Sequence, residues 1–114
     1  MIITNIEAGR ILDSRLSHLL RMKAPDIMST HELACREDQK TRTIAKAIIK
    51  SVRPVSLKDF EKDPSLLDGH GFKSVNGIKT NLINLYGEGF WSGFVRGDYK
   101  ITRISIDYSL VSQG

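Results

Sequence analysis

The residues with the widest chemical range in this chain are three histidines and one cysteine. His31 and Cys35 stand four apart and would share one helical face, a spacing compatible with two metal ligands. Zinc needs three or four ligands, and no second cluster supplies them, so no metal is expected. His18 has Asp13 and Asp26 near it in sequence, the ingredients of a general-base pair. It also lies among Leu16, Leu19 and Leu20, where a lone histidine ordinarily occupies a partly exposed helix face. No serine stands in a Gly-x-Ser-x-Gly elbow, and there is neither a phosphate loop nor a dinucleotide fingerprint. No cofactor is expected.

Cations and aromatics offer a different chemistry, that of holding an anion. Lys and Arg number 17 against 13 Asp and Glu, a net charge of +4. The excess is uneven: residues 1–58 carry eleven cations against six acids, and residues 59–114 carry six against seven. A basic half of this kind attracts phosphate backbones at low salt, or simply keeps the surface solvated. Trp91, with Arg96 and Lys100 nearby in sequence, has the composition of a base-stacking platform. The plain alternative is that Phe90, Trp91 and Phe94 seal one end of the core. Arg96-Gly97-Asp98 spells a cell-adhesion tripeptide, but a Gly-Asp turn explains it without that reading.

The elements that must position these residues follow from periodicity and punctuation. Leu12, Leu16, Leu19 and Leu20 suggest an amphipathic helix over Asp13–Lys23, ended at Ala24-Pro25. Residues 26–36 alternate as a strand. Over Arg42–Arg53, Ile44, Ile48, Ile49 and Val52 favour a helical stripe, while the β-branched content suits a strand. Ser56 can cap a short helix carrying Leu57 and Phe60, and Asp63-Pro64 can open another turn. Ser74 can cap a helix over Val75–Tyr86 with Val75, Ile78, Leu82 and Leu85 inward, and Gly87 suits a left-handed C-terminal cap. Residues 87–99 read as a strand and a turn at Gly97-Asp98, making a hairpin with a last strand. In that last strand Thr102, Ile104, Ile106, Tyr108 and Leu110 oppose Arg103, Ser105, Asp107 and Ser109.

With 114 residues, 40% of them hydrophobic, and no repeat or linker, the chain reads as one domain, residues 1–114. A length of this order removes roughly 60–70% of the unfolded chain's surface from water, enough for a core without staples. The single cysteine excludes an internal disulfide. The N-terminus lacks a basic region followed by a long apolar one, and no apolar run reaches membrane-spanning length, so a cytoplasmic protein without membrane partners is expected.

The order of segments resembles the ASCH (activating signal cointegrator homology) domain, a small PUA-like β-barrel family. Residues 51–60 (SVRPVSLKDF) resemble its strand and short helix. Asp68-Gly69-His70-Gly71-Phe72-Lys73-Ser74-Val75, then Ile78, Leu82, Leu85 and Tyr86-Gly87, resemble its "GF, S, three-turn helix" stretch. Ile6, Ala8-Gly9-Arg10 and Arg15 fall where the family shows "Gly-x-Lys then Arg", and residues 23–28 where it opens a strand. The resemblance implies an α+β fold, a small PUA-like β-barrel with flanking short helices, and makes Arg42–Val52 a barrel strand. It also implies recognition of RNA or nucleotides. Some ASCH proteins resemble nucleoside amidohydrolases with a Lys, a Thr and a Glu around the cleft. Here Ile11 stands at the Lys position and about His70 at the Glu position. An isoleucine is neither a nucleophile nor a proton carrier, so the implied module is non-catalytic.

The expected function is therefore binding of RNA or single-stranded nucleic acid. Arg10 and Arg15 belong to the segment that the resemblance places at the cleft, and Arg42, Lys46 and Arg53 complete the candidate phosphate contacts beside Trp91 and Arg96. The alternatives are an enzyme with an altered active site, amidohydrolase-like or a small ribonuclease, and a protein-interaction module or inhibitor of a partner protein.

Overall fold

Thr4 opens the first helix, because its hydroxyl accepts the Glu7 N–H while the Glu7 carboxylate accepts the Thr4 N–H. The computed structural model describes residues 1–111. Its elements are α1 (Asn5–Leu12), β1 (His18–Arg21), β2 (Thr30–Glu37), β3 (Lys40–Val55), α2 (Leu57–Lys62), a 3₁₀ helix (Pro64–His70), α3 (Val75–Tyr86), α4 (Glu88–Arg96) and β4 (Ile101–Leu110). The strands form one curled antiparallel half-barrel in the order β1-β4-β3-β2. With its flanking helices this is the small α+β, PUA-like architecture expected from the sequence.

At β1 both faces of the sheet are covered, which is why two neighbouring leucines can both be buried. Leu19 joins a cluster with Ile11, Leu33, Ile49 and Ile104 on the α1 side. Leu20 joins Val55, Phe60, Phe72, Leu82, Phe94 and Ile101 under the remaining helices. That double burial explains why the expected helix over residues 13–23 is absent: the Leu16, Leu19, Leu20 spacing mimics a helical stripe, but Leu19 and Leu20 serve opposite faces of β1. The helix lies earlier, where Thr4 caps it.

Over residues 42–53 the β-branched content, not the stripe, proves decisive. β3 runs through sixteen residues with Ile44 and Ile49 buried and Ile48 and Val52 exposed. A bulge between Ile49 and Ser51 takes up one residue and breaks the alternation that would have announced a strand. The short helix after Ser56, the turn at Pro64 and the helix over Val75–Tyr86 stand where expected. Gly87 has φ 91° and ψ 170°, so it turns the chain without adopting the expected left-handed cap geometry.

The expected hairpin over residues 87–99 is instead α4. Phe94 is buried, Trp91 packs on it with ring centroids 5.8 Å apart, and Phe90 lies between Tyr86 and Tyr99. Spacings of three and four residues among Phe90, Trp91 and Phe94 are helical neighbours. Gly97, at φ 79° and ψ 20°, ends the helix with the left-handed residue that a C-terminal cap needs. The closing strand over Ile101–Leu110 is present.

No helix among the described residues is long and apolar enough to cross a membrane.

Candidate functional site

Strand register decides which polar residues share a surface. Directly paired residues project to the same face, and the face of β4 that starts with Ile101 can be followed row by row. Ile101 pairs with Val55 under the helices. In the next row Arg103 stands between Arg53 and Leu20, and Ser105 then stands between Ser51 and His18. Beyond these, Ile48 joins Thr30 to Asp107, and Lys46 joins Glu32 to Ser109. The helices cover the first row and leave the outer rows open. A depression of about 280 Å³ lined by Thr30, Lys46, Ile48, Asp107, Tyr108 and Ser109 occupies the outer part.

Where the helical cover stops, the end of the 3₁₀ helix meets the sheet. Ser17 N–H donates to the Gly69 carbonyl at 2.7 Å, tying the approach to β1 against this turn. His70 is buried, its ring 5.9 Å from those of His18 and Phe60. Arg103 Nε donates to His70 Nε2 at 3.2 Å, and Arg103 Nη2 donates to the Leu66 carbonyl at 3.1 Å. An arginine only donates, so His70 Nε2 is an acceptor and the neutral ring carries its proton on Nδ1. Burial, then Arg103 and His18, push the His70 pKa down to about 3, while a hydrogen bond with the His18 backbone acts the other way.

His18 is half-buried, with Nδ1 2.8 Å from Ser17 Oγ. Burial lowers its pKa, and Arg103 lowers it further. Burial and then Arg53 lower that of Arg103 itself, with Asp63 opposing. Arg103 nevertheless remains charged at any physiological pH. Gly69 keeps this corner compact, since a Cβ there would stand 2.8 Å from Arg103 Nη2 and press on the His18 ring.

The expected residues divide by position. Arg53 lies in this site, opposite Arg103. Arg15 is on the other side of the same turn, its carbonyl beside Gly71, and it lines a depression of about 340 Å³ with Asp68, Gly71, Phe72 and Lys73. Arg10 is adjacent, its guanidinium 5.6 Å from the Phe72 ring centre and its Nε buried without a partner. Lys46 lies on the same sheet face, farther out. Arg42 is eleven positions from Arg53 along β3, about 35 Å at the usual strand rise, and pairs loosely with Glu37 at 3.9 Å. Arg96 is bound to Asp98 at 2.9 Å, and Trp91 is half-buried on α4 beside Lys79 and Glu88.

Other sequence expectations dissolve in the fold. His18 is bonded to Ser17 rather than to Asp13 or Asp26, and His31 to Ser29, while Cys35 is buried in the core. Among the described residues no group of three or more His, Cys, Asp or Glu could hold a metal. Ile11 is fully buried, so the position where a Lys was sought contributes only packing. Sequence reasoning missed Arg103 as a site residue. Its one signal was the polar side of the last strand, which acquires meaning only when Arg53 is placed opposite.

No family model matches the chain, and no curated protein matches it. Solved structures do. A crystal structure of an ASCH protein from Zymomonas mobilis superposes with a TM-score of 0.58 at 13% identity, covering 96% of this chain and 68% of that one. A point mutant of ASCH from the same organism superposes with a TM-score of 0.59, also at 13% identity, over 97% of this chain and 71% of that one. The chain is thus similar to ASCH proteins in fold, nearly end to end, as its segment order suggested.

Proposed function

We propose that the open face of the sheet binds single-stranded nucleic acid, RNA before DNA, by contacts to its phosphates. The observation that carries this reading is Arg53 directly opposite Arg103 on one face, with no carboxylate within 4 Å of either among the described residues. Like charges opposed across a ladder destabilise a sheet, so the pair costs stability unless an anion sits between them. Arg15 and Arg10 extend the basic surface round the Gly69–Gly71 turn, and Lys46 extends it along the sheet. Arg42, and Trp91 with Arg96 on α4, are the outlying contacts of the same proposal. Beyond the arginine row the open face holds serines, Thr30, Ile48 and His18, with Glu32 and Asp107 beside Lys46 and Tyr108 at the edge of the depression. Phosphate contacts therefore centre on Arg53 and Arg103, and base preference is small.

The test is fluorescence anisotropy with single-stranded RNA, double-stranded RNA and DNA across a salt series. Binding to single strands that weakens with salt, and weakens further in Arg53→Ala and Arg103→Ala, supports the reading. A folded protein with no binding at low salt overturns it.

A second reading, hydrolysis of the bound strand, has one observation behind it: neutral His18 hydrogen-bonded to Ser17 beside Arg103. Intact RNA after prolonged incubation would remove it, and new fragments absent in His18→Ala would support it.

A further inference from the structure

We infer that His70 is a positioning residue, which aims the Arg103 guanidinium at the ligand without neutralising it. The inference rests on the proposed anion site and specifies how that site works. Nε–H and one Nη2 N–H of Arg103 are spent on His70 Nε2 and the Leu66 carbonyl, both uncharged acceptors. A guanidinium has five N–H groups in a rigid plane, so two fixed bonds settle where the rest point. The Nη1 edge and the second Nη2 proton are left for an incoming phosphate, alongside Arg53.

The choice of anchor matters chemically. A carboxylate at position 70 would hold the arginine at least as firmly, through a charge-assisted pair, and would cancel the charge the ligand needs. A histidine with its proton on Nδ1 offers a single neutral acceptor at Nε2. Burial secures that state, because a protonated ring has no lone pair for Arg103 and would put a second positive charge at a buried position beside it. The anchor is rigid as well. His70 ends the 3₁₀ helix, lies against Phe60, and follows Gly69, whose lack of a side chain admits both His18 and Arg103.

The experiment compares His70→Gln, His70→Glu and His70→Leu with the unmodified protein in two readouts. The first is NMR of the free protein: exchange of the Arg103 Nε proton and the tautomer of His70. The second is affinity for a labelled single-stranded oligouridylate, with its salt slope. A slowly exchanging Arg103 Nε proton is expected in the unmodified protein and in His70→Gln, with binding retained within about threefold. His70→Glu is expected to keep that proton protected yet bind about tenfold more weakly, its salt slope smaller by about 0.7, the value of one phosphate on a single strand. His70→Leu is expected to lose both protection and about tenfold in affinity. Protection and affinity unchanged in His70→Leu, or full affinity and slope in His70→Glu, would overturn the inference. If His70→Glu does not fold, the contrast between Gln and Leu decides. If the unmodified protein binds no oligonucleotide, the functional reading falls, and the NMR readout still decides whether His70 positions Arg103.

Discussion

Arg21 and Arg103 are one register step apart across the β1–β4 ladder, on opposite faces of the same sheet, and they are handled in opposite ways. Arg21 is buried and grips Glu7 with both nitrogens, Nη2 to Oε1 at 2.7 Å and Nη1 to Oε2 at 2.8 Å. It also donates to the carbonyls of Leu20 and Ile2, and Asn81 completes the carboxylate's partners at 3.0 Å. Every charge in that group is cancelled, and the group joins α1, β1 and α3. Arg103 is half-buried, is held by two neutral acceptors, and faces another arginine. Arg21 is neutralised where it sits; Arg103, at the edge of the covered region, has no carboxylate paired with it among the described residues, which is the difference the proposed anion site uses.

The largest expected effect breaks the architectural side. Glu7→Gln leaves the Arg21 charge buried without its counter-charge, and should cost about 3–5 kcal/mol of stability, read from the urea midpoint. A loss under about 1 kcal/mol would mean that water reaches the pair, and the contrast with Arg103 would weaken. Asn81→Ala tests the same group more gently, by removing one donor to Glu7.

Next comes pH, which acts on the ligand side through His70. Unfolded, the ring titrates near 6.5; folded, it titrates near 3. Between those values the unfolded chain holds the extra proton, so stability is full above 6.5 and falls as the pH drops. The slope approaches about 1.4 kcal/mol per pH unit for one such group. His18, lowered in the same direction, adds to it. Urea midpoints measured from about pH 7 to about pH 5 should fall, and His70→Gln should flatten that dependence. An unchanged slope in His70→Gln would show that the buried ring is not its source.

Removing the ligand-side charges comes third. Arg103→Ala should weaken oligonucleotide binding about tenfold, as loss of a charged hydrogen bond would, and reduce the salt slope. Arg53→Ala should do slightly less, while stability stays level or rises by under about 1 kcal/mol because the like-charge opposition is relieved. A drop in stability comparable with that of Glu7→Gln would make Arg103 a second architectural arginine. The smallest effect on binding is expected from Trp91→Ala, under about threefold, since much of its ring packs on Phe94 and only the remainder is free to stack. A loss equal to that of Arg103→Ala would move the centre of the interface to α4.

Much of this was legible in the residues, for local reasons. Ser56, Asp63-Pro64 and Ser74 mark helix starts because caps act within one turn, and residues 102–110 alternate in sequence because beyond Ile101 one face of the strand opens to polar rows. Three segments misled for equally physical reasons. β1 is covered on both sides, so its leucines lose the period of two. The bulge in β3 shifts its pattern by one residue. The glycines of α4 resemble turn punctuation, although its aromatics hold helical spacing.

The candidate site was only partly legible. Arg10 and Arg15 could be named as cations on the segment that the family resemblance placed at a cleft, and Arg53 as one on the strand it made part of the barrel. Their relation to Arg103, and the roles of His18 and His70, could not. The sequence by itself determined the basic excess, the polar side of the last strand and the short caps, because each depends on composition or on neighbours within a few positions. Only the tertiary structure decided that Arg53 faces Arg103, that His70 holds one of them as a neutral acceptor, and that Glu7 silences Arg21. Those are contacts between residues distant in the chain, made by strand register and burial, and no local period encodes them.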